Sequence, residues 1–456
     1  MAAINAAGYD TDADSPNNSP LRAKIRAQLA AKQIPCLPAL KLFYAEHRQS
    51  DPTAQLSQYI SFALAIDGPP EFALKGRTVD APPDATPLLE FSPLLARFYE
   101  EAGIEELWKQ SQPDFERALE RYHEPVMQAV LEVNSFLRHE ISGASPTRFQ
   151  IYIDLLAAPN QIQTRSYGPN YYVVVTPSPE LRTHDIRHAY LHYILDAYAT
   201  RHEELVMRAR GLSDHAQRAE TLDQSYKNDF LLLETESLIK AVEARLDRKP
   251  DEAQEAMREG YILTAFFSEQ LEAYLHQEQA MRFYYPTMIQ AIDLKREDAR
   301  LAQIEFVTQL PARTVKMVEA PRPPEPTGIR KTLAQAEHFY TDRDLEGARE
   351  LFLKALEENG DKSLHAQAYY GLARIAALER NPELSEQMFE KTLEMEPEPP
   401  IKAWTLIYLA RLEDAAGNRD RAVKRYREAL AVEGASEAAH TAAEKGIQQS
   451  FVKKSN

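Results

Sequence analysis

Residues 182–199 read RTHDIRHAYLHYILDAYA and place His188 and His192 four positions apart. The stretch predicts a helix over about 183–200. Residues four apart on a helix project from the same side, so both imidazoles can face one metal ion. Zinc would then need a third protein ligand and would keep a fourth position for water. The sequence therefore predicts a metal-binding helix, and the elements on either side of it decide the fold.

Three short runs rich in β-branched and aromatic residues precede this helix. They read RFQIYIDLL, QIQTRSYG and YYVVVTP, and turn signals separate them. We predict a three-stranded meander near residues 148–176. Helical periodicity makes most of the remainder of residues 21–310 helical, including a second strong helix over about 226–247. Residues 1–20 are dominated by Asp, Asn, Ser and Pro, which predicts a flexible N-terminus.

The order of these elements resembles the catalytic domain of gluzincin-type metallopeptidases, a zincin-like α+β fold, over about residues 90–310. That family carries the signature HExxH, whose histidines correspond to His188 and His192. The resemblance implies a zinc cofactor and a glutamate ligand on the downstream helix, which corresponds to Glu236. This glutamate lies on an apolar stripe, and a buried carboxylate needs a partner that zinc would provide. Glu234, whose stripe is also apolar, is the alternative third ligand.

The resemblance fails at the position of the catalytic base. HExxH places a water-activating glutamate after the first histidine, and this chain has Ala189 there. A positioned general base contributes about 10²–10⁴ in rate, so the domain is predicted to be catalytically impaired. Asp185 is the candidate surrogate base, although it lies one helical turn, about 5.4 Å, from where the glutamate would act. His184 is a candidate further ligand or a supporting group.

From residue 329 the chain repeats every 37 residues. The three units start near Ile329, Ala366 and Ala403. Equivalent positions hold small residues (Ala348, Ser385, Ala422) and aromatic residues (Phe352, Phe389, Tyr426). This pattern resembles the tetratricopeptide repeat, whose usual period is about 34. The resemblance implies a C-terminal α-solenoid over 329–450, made of three repeats and a capping helix, and the Pro-rich segment 311–328 predicts an extended linker.

Arrays of this kind commonly hold peptides on the concave face formed by the first helix of each unit. The usual repeat geometry implies a groove that includes Tyr370, Arg374, Trp404 and Arg411. Arg374 and Arg411 occupy equivalent positions, so we expect a protein or peptide partner with an acidic group or a C-terminal carboxylate. The alternative is that both arginines belong to a solvated face.

Composition limits the other functions. The chain has 456 residues and a formal net charge of −16, which argues against nucleic acid because such proteins need basic surfaces. No run of about 18 apolar residues predicts a transmembrane helix. The polar N-terminus has no apolar signal core, so the chain as written is expected to be cytoplasmic, or exported to the periplasm if a leader was removed.

Three functions follow from these observations. The first is a peptide-binding repeat protein with a degenerate zinc-peptidase-like domain that binds a metal without cleaving peptides. The second is an active zinc-dependent hydrolase that uses a displaced base, with Asp185 the first candidate. The third is an interaction scaffold without metal, in which His188 and His192 are core residues.

Overall fold

The computed structural model describes residues 1–75, 81–140, 148–167, 170–309, 316–319, 327–341, 343–435 and 437–451. The chain forms two compact units, Met1–Pro323 and Pro324–Asn456. The described residues are mainly helical and include one small sheet in the first unit, as the sequence predicts. Among the described helices, none is both long enough and apolar enough to cross a membrane.

The first unit contains fifteen described helices. They are α1 (Ala2–Ala7), α2 (Pro20–Ala30), α3 (Leu37–Glu46), α4 (Pro52–Ala65), α5 (Phe91–Glu101), α6 (Ile104–Leu137), α7 (Thr183–Arg201), α8 (Glu203–Val206), α9 (Ser213–Ala216), α10 (Gln224–Asn228), α11 (Phe230–Leu246), α12 (Pro250–Glu259), α13 (Thr264–Leu275), α14 (Met281–Gln290) and α15 (Leu294–Leu301). Short 3-10 helices lie at Thr86–Leu88 and Met207–Leu212. The strands are β1 (Arg148–Ile153), β2 (Gln161–Tyr167), β3 (Asn170–Val175) and β4 (Lys316–Glu319).

Side-chain caps fix where several of these helices begin. Asp51 accepts hydrogen bonds from the backbone N–H groups of Thr53 and Ala54 at the start of α4. Asp229 accepts one from Leu232 at 3.0 Å at the start of α11. Such caps satisfy backbone donors that have no partner within the helix. Because the cap fixes where α11 begins, it also fixes the side of the helix on which each later residue of α11 lies.

Residues 3–9 of the N-terminal segment are packed, so the prediction that the whole of residues 1–20 is flexible was wrong for this part. α1 buries Ile4, and Tyr9, which follows this helix, is fully buried. The guanidinium of Arg22 lies 4.9 Å from the centroid of the Tyr9 ring, and its Nε donates to Asn5 Oδ1 at 3.2 Å. The polar composition belongs to residues 10–20, and the apolar residues before them anchor the segment.

The sheet has the order β1-β3-β2-β4, so the predicted three-stranded meander was wrong. β3 pairs in parallel with β1 and antiparallel with β2, and β4 pairs in parallel with β2. After β1 the chain leaves the sheet and buries Leu155, Ala157 and Ala158 among the N-terminal helices. β2 then pairs with the edge of β3 opposite β1. β1, β2 and β3 match the predicted runs, whereas β4 lies within the segment 311–328 that was predicted to be a linker.

The two faces of β3 contact different layers because successive strand residues point to opposite sides. Val173 and Val175 pack with Ile186 and Ala189 of α7. Val174, between them, belongs to the core of the N-terminal helices. This alternation holds α7 against one face of the sheet.

The second unit consists of successive helices with their own cores. They are α16 (Ile329–Thr341), α17 (Leu345–Glu357), α18 (Lys362–Leu378), α19 (Pro382–Glu394), α20 (Pro399–Ala415), α21 (Arg419–Leu430) and α22 (Glu437–Gln448). α16 packs with α17, α18 with α19 and α20 with α21. The small and aromatic residues that recur every 37 positions are all buried. Most of the predicted linker 311–328 lies outside the described residues, and its residues 316–319 form β4.

Candidate metal centre

Two buried helices, α7 and α11, supply the candidate site. α7 contacts α11, α6 and β3, so its central turns are buried on several sides. α11 is likewise buried along most of its length. Polar side chains between these helices must therefore find partners within the site, because water is excluded from them.

His188, His192 and Glu236 come together in this interface. One ligand atom from each lies within 4.8 Å of the other two. The Nε2 atoms of His192 and His188 lie 2.9 and 3.4 Å from Oε2 of Glu236. The three residues are only 6%, 5% and 2% exposed, in the order His188, His192, Glu236. Sequence reasoning therefore paired the right helices and found the buried carboxylate that faces both imidazoles.

Carboxylates hold the other nitrogen of each histidine. His188 Nδ1 lies 3.1 Å from Glu243 Oε1, and His192 Nδ1 lies 3.0 Å from Asp196 Oδ1. A carboxylate on one ring nitrogen fixes the ring and leaves the other nitrogen to bind a metal. Here both Nδ1 atoms have carboxylate partners, and both Nε2 atoms point to Glu236.

Lys240 supplies a positive charge on the other side of Glu236. Its Nζ lies 3.3 Å from Glu236 Oε1 and 3.6 Å from Glu243 Oε2. Glu236, Lys240 and Glu243 follow one another at four and three residues on α11, which places them on one face. The same face therefore carries a candidate ligand, a cation and a histidine partner.

The charges of this cluster shift the pKa of each member. Burial lowers the pKa of His188, but the charges of Glu236 and Glu243 outweigh burial and leave it above its ordinary value. Burial also lowers the pKa of His192, yet Asp196 and Glu236 bring it well above its ordinary value. Burial raises the pKa of Glu236, but His188 and Lys240 hold it well below its usual range. Without a metal, the neighbouring carboxylates thus favour the protonated form of both imidazoles, and the imidazoles and Lys240 favour the charged form of Glu236.

The donor set fits a zinc ion. Two imidazole nitrogens and one carboxylate oxygen match the ligands of open zinc sites, and such ligand atoms stand about 3.3 Å apart around tetrahedral zinc. The His188–Glu236 distance of 3.4 Å matches this value, and the His192–Glu236 distance of 2.9 Å is shorter. Binding of the ion would therefore require His192 and Glu236 to separate slightly, and the three ligand atoms already lie within 4.8 Å of one another.

Glu234 belongs to a different environment from Glu236. Tyr285 Oη donates a hydrogen bond of 2.8 Å to Glu234 Oε2. Burial raises the pKa of Glu234 to about 8. Because the two glutamates are two residues apart on α11, they face different sides of the helix. Glu236, not Glu234, is the glutamate that approaches His188 and His192.

The other residues singled out on α7 lie outside the trio. The methyl group of Ala189 is fully buried in the apolar cluster with the sheet. Asp185 is half-buried in the first turn of α7, on the side where Tyr122 lies. His184 is an exposed side chain whose Nε2 lies 3.4 Å from Asp247 Oδ2. None of the three is grouped with the candidate ligands among the described residues.

The four predicted groove residues of the second unit are half-buried and close to aromatic rings. Arg374 forms an ion pair with Glu337 and lies 4.3 and 4.6 Å from the ring centroids of Tyr340 and Tyr370. Glu337 occupies the position of the first unit that is equivalent to Arg374. Arg411 instead lies 5.9 Å from the ring centroid of Trp404. The two equivalent arginines thus have different partners.

Sequence reasoning missed Asp196, Lys240 and Glu243. Asp196 follows His192 by four residues, and Lys240 and Glu243 follow Glu236 by four and seven. These spacings place each missed residue on the same helix face as a candidate ligand. Helical periodicity, extended beyond the ligands themselves, would have found them.

No family model, no characterised protein and no solved structure matches this chain.

Proposed function

We propose that the first unit is a metal-binding, catalytically impaired domain of the gluzincin type, and that the second unit is a tetratricopeptide-type module that binds peptides. The observation that carries the first part is the buried trio of His188, His192 and Glu236, with one ligand atom of each within 4.8 Å of the others. Zinc is the proposed ion because it accepts this combination of nitrogen and oxygen ligands. When bound, it would act as a Lewis acid toward water or a carbonyl group.

Loss of catalysis is proposed from the surroundings of position 189. A general base must lie within hydrogen-bond reach of the proton it removes. Ala189 has no ionisable group, and its neighbours Ile162, Val173 and Ile186 are apolar. The three candidate ligands are also almost fully buried, which restricts the approach of a peptide. Both features favour binding of a metal over turnover.

Peptide binding is proposed from the repeat pattern and from Arg411. Arg374 already pairs with Glu337, so Arg411 is the stronger candidate anchor for an incoming carboxylate. Trp404 and Tyr408 lie near its guanidinium at 5.9 and 5.4 Å. Aromatic rings beside an arginine provide apolar contact next to a charged anchor, a combination that suits a peptide with a carboxylate group.

The metal content of the purified full-length protein tests the first part. We expect about one zinc per chain in the wild type, and loss of this zinc in His188→Ala and Glu236→Gln. Glu234→Gln is the matched control, because it removes a buried carboxylate of the same helix that faces Tyr285, and it should keep its zinc. A wild type that neither contains nor binds zinc contradicts the proposal. The remaining hypothesis is then an interaction scaffold without metal.

Hydrolysis of a peptide library by the zinc-loaded protein separates the two metal-dependent functions. We expect no turnover above that of His188→Ala. Turnover that a chelator abolishes and that Asp185→Ala removes would support the active hydrolase with a displaced base instead.

A further inference from the structure

Lys240 contacts a candidate metal ligand, Glu236, and also Glu243, which holds another candidate ligand. Oε2 of Glu236 faces the two imidazoles, whereas Oε1 of the same carboxylate lies 3.3 Å from the ammonium of Lys240. The ammonium also lies 3.6 Å from Glu243 Oε2, the carboxylate that holds His188. One cation therefore contacts both a candidate metal ligand and the group that orients another ligand.

A fixed cation at this place acts against a second cation. A divalent metal bound to Glu236 would share that carboxylate with the Lys240 ammonium, and like charges repel strongly where water is excluded. Lys240 also withdraws part of the negative charge of Glu236 from the metal. In the absence of a metal, the same ion pair offsets the cost of burying the carboxylate.

The ammonium of Lys240 has an alternative position next to the ring of Tyr261 and toward solvent. Its Nζ lies 5.8 Å from the ring centroid of Tyr261, within the range of a cation–π contact. The side chain is 19% exposed, so it also reaches toward solvent. A shift of the ammonium away from Glu236 therefore does not require burial of an unpaired charge.

We propose, on the basis of the metal centre proposed above, that Lys240 is a built-in counter-ion that competes with the metal for Glu236 and weakens metal binding. Lys240 is a positioning residue in this scheme, because it acts through Glu236. The centre is consequently reversible: it is ion-paired when empty, and it loads when the metal concentration is high enough to displace the ammonium from Glu236.

Zinc titration of the full-length protein against a competing chelator tests this inference. We expect Lys240→Met to bind zinc at least about tenfold more tightly than the wild type, because the repulsion is removed. Lys249→Met is the matched control. It removes the same charge from an exposed lysine that pairs with Glu252 at 2.7 Å, and its affinity should stay within about twofold of the wild type.

A gain in zinc affinity of Lys240→Met that is smaller than about tenfold, or a loss of affinity, overturns the inference while the metal centre stands. Absence of zinc binding in the wild type and in Lys240→Met overturns both proposals. If thermal melting shows that Lys240→Met does not fold, Lys240→Gln replaces it, since the partly exposed side chain tolerates a polar group.

If neither variant folds, a zinc-bound structure of the wild type decides. Nζ of Lys240 more than 4 Å from the Glu236 carboxylate supports the inference, and retention of the ion pair overturns it.

Discussion

The methyl group of Ala189 is enclosed by apolar side chains of α7 and the sheet. Ile162 and Val173 come from two neighbouring strands, and Ile186 comes from the preceding turn of α7. A carboxylate at this position would need a partner that these residues do not provide. The apolar surroundings of position 189 therefore suit alanine and do not suit glutamate. Restoring a functional glutamate would require changes in these neighbouring side chains as well.

Ala189→Glu should not produce a hydrolase. We expect the variant to lose about 3 kcal/mol or more of stability, because it buries a charge without a partner, and to show no peptide hydrolysis with zinc. Urea unfolding and the library assay measure both effects. Ala189→Gln, of similar size but without charge, serves as the control. A stable Ala189→Glu protein with chelator-sensitive turnover would mean that the alanine alone blocks catalysis.

Asp196 should support the metal through His192. Its Oδ1 lies 3.0 Å from His192 Nδ1, and removal of such a partner typically reduces metal affinity by about 10–100-fold. We expect Asp196→Ala to weaken zinc binding by this factor in a chelator competition assay. Asp185→Ala removes an acid of the same helix outside the trio and should leave the affinity unchanged. Equal affinities for both variants would argue against the role of Asp196.

At the scale of elements, close approach of helices in the second unit depends on glycine. A Cβ built on Gly371 of α18 would lie 2.3 Å from Cζ of Phe352 on α17. Real Cβ atoms do not approach a ring carbon so closely, because the packed interior has no spare volume. Phe352 thus requires a residue without a Cβ at position 371, whereas Tyr408, at the equivalent position of the third repeat, stacks its ring on Phe389.

Gly371→Ala should destabilise the second unit. Overpacking costs about 1–3 kcal/mol, more than the gain of about 0.5–1 kcal/mol expected when alanine replaces a helical glycine. Urea unfolding of the full-length protein measures the change when it is followed by the fluorescence of Trp404 in a Trp108→Phe background. In the background of Phe352→Leu, whose shorter side chain leaves room, the same substitution should cost less. An equal cost in both backgrounds would show that the ring is not the cause.

Asp414 at the end of α20 should make the second unit sensitive to acid. Its carboxylate accepts hydrogen bonds from the Phe451 N–H at 2.8 Å and from Arg419 at 3.0 Å. Burial raises the pKa of Asp414, but these donors outweigh burial and hold it below its ordinary value. The stabilisation is therefore fully present above about pH 4, the unfolded value, and is lost as the pH falls through the lower folded value.

Asp414→Asn tests this pH dependence. We expect a loss of about 1–2 kcal/mol at pH 7, where the charged acceptor is replaced by a neutral one. The difference from the wild type should narrow below about pH 4, as the wild-type carboxyl becomes protonated. Urea unfolding over a pH series measures both values. A difference that does not change with pH would assign the effect to packing alone.

At the scale of the whole molecule, the candidate metal centre and the repeat helices lie in different compact units. A ligand stabilises the structure that contains its site in proportion to the logarithm of its concentration. Zinc should therefore act on the unit that contains α7 and α11.

Hydrogen exchange of the full-length protein should locate this effect. With zinc at 100 times its dissociation constant, we expect about 100-fold slower exchange of the most protected amides of α7 and α11, equivalent to about 2.7 kcal/mol. Exchange in α18 and α20 should not change. His188→Ala is the control and should show no response. A response confined to α16–α22 would place the zinc elsewhere.

Periodicity within single elements made part of this protein predictable. The spacing of His188 and His192 fixes both imidazoles on one side of a helix, and the 37-residue spacing aligns the buried residues of the second unit. Both depend on local backbone geometry, which the sequence encodes directly. The same reasoning found the segments of β1, β2 and β3 but missed β4 and the strand order, since both depend on pairing between separate segments.

The sequence by itself determined the helices, the repeats and the face on which each candidate ligand lies, because these follow from spacing along one element. Only the tertiary structure decided that Glu236 approaches the histidines, that Glu234 turns to Tyr285 and that Lys240 contacts the candidate ligand. The contacts of Glu236 with the histidines and of Glu234 with Tyr285 join residues of separate segments, and the contact of Lys240 with Glu236 lies along one face of α11. Packing between elements sets them, since each buried polar group must find a partner in three dimensions.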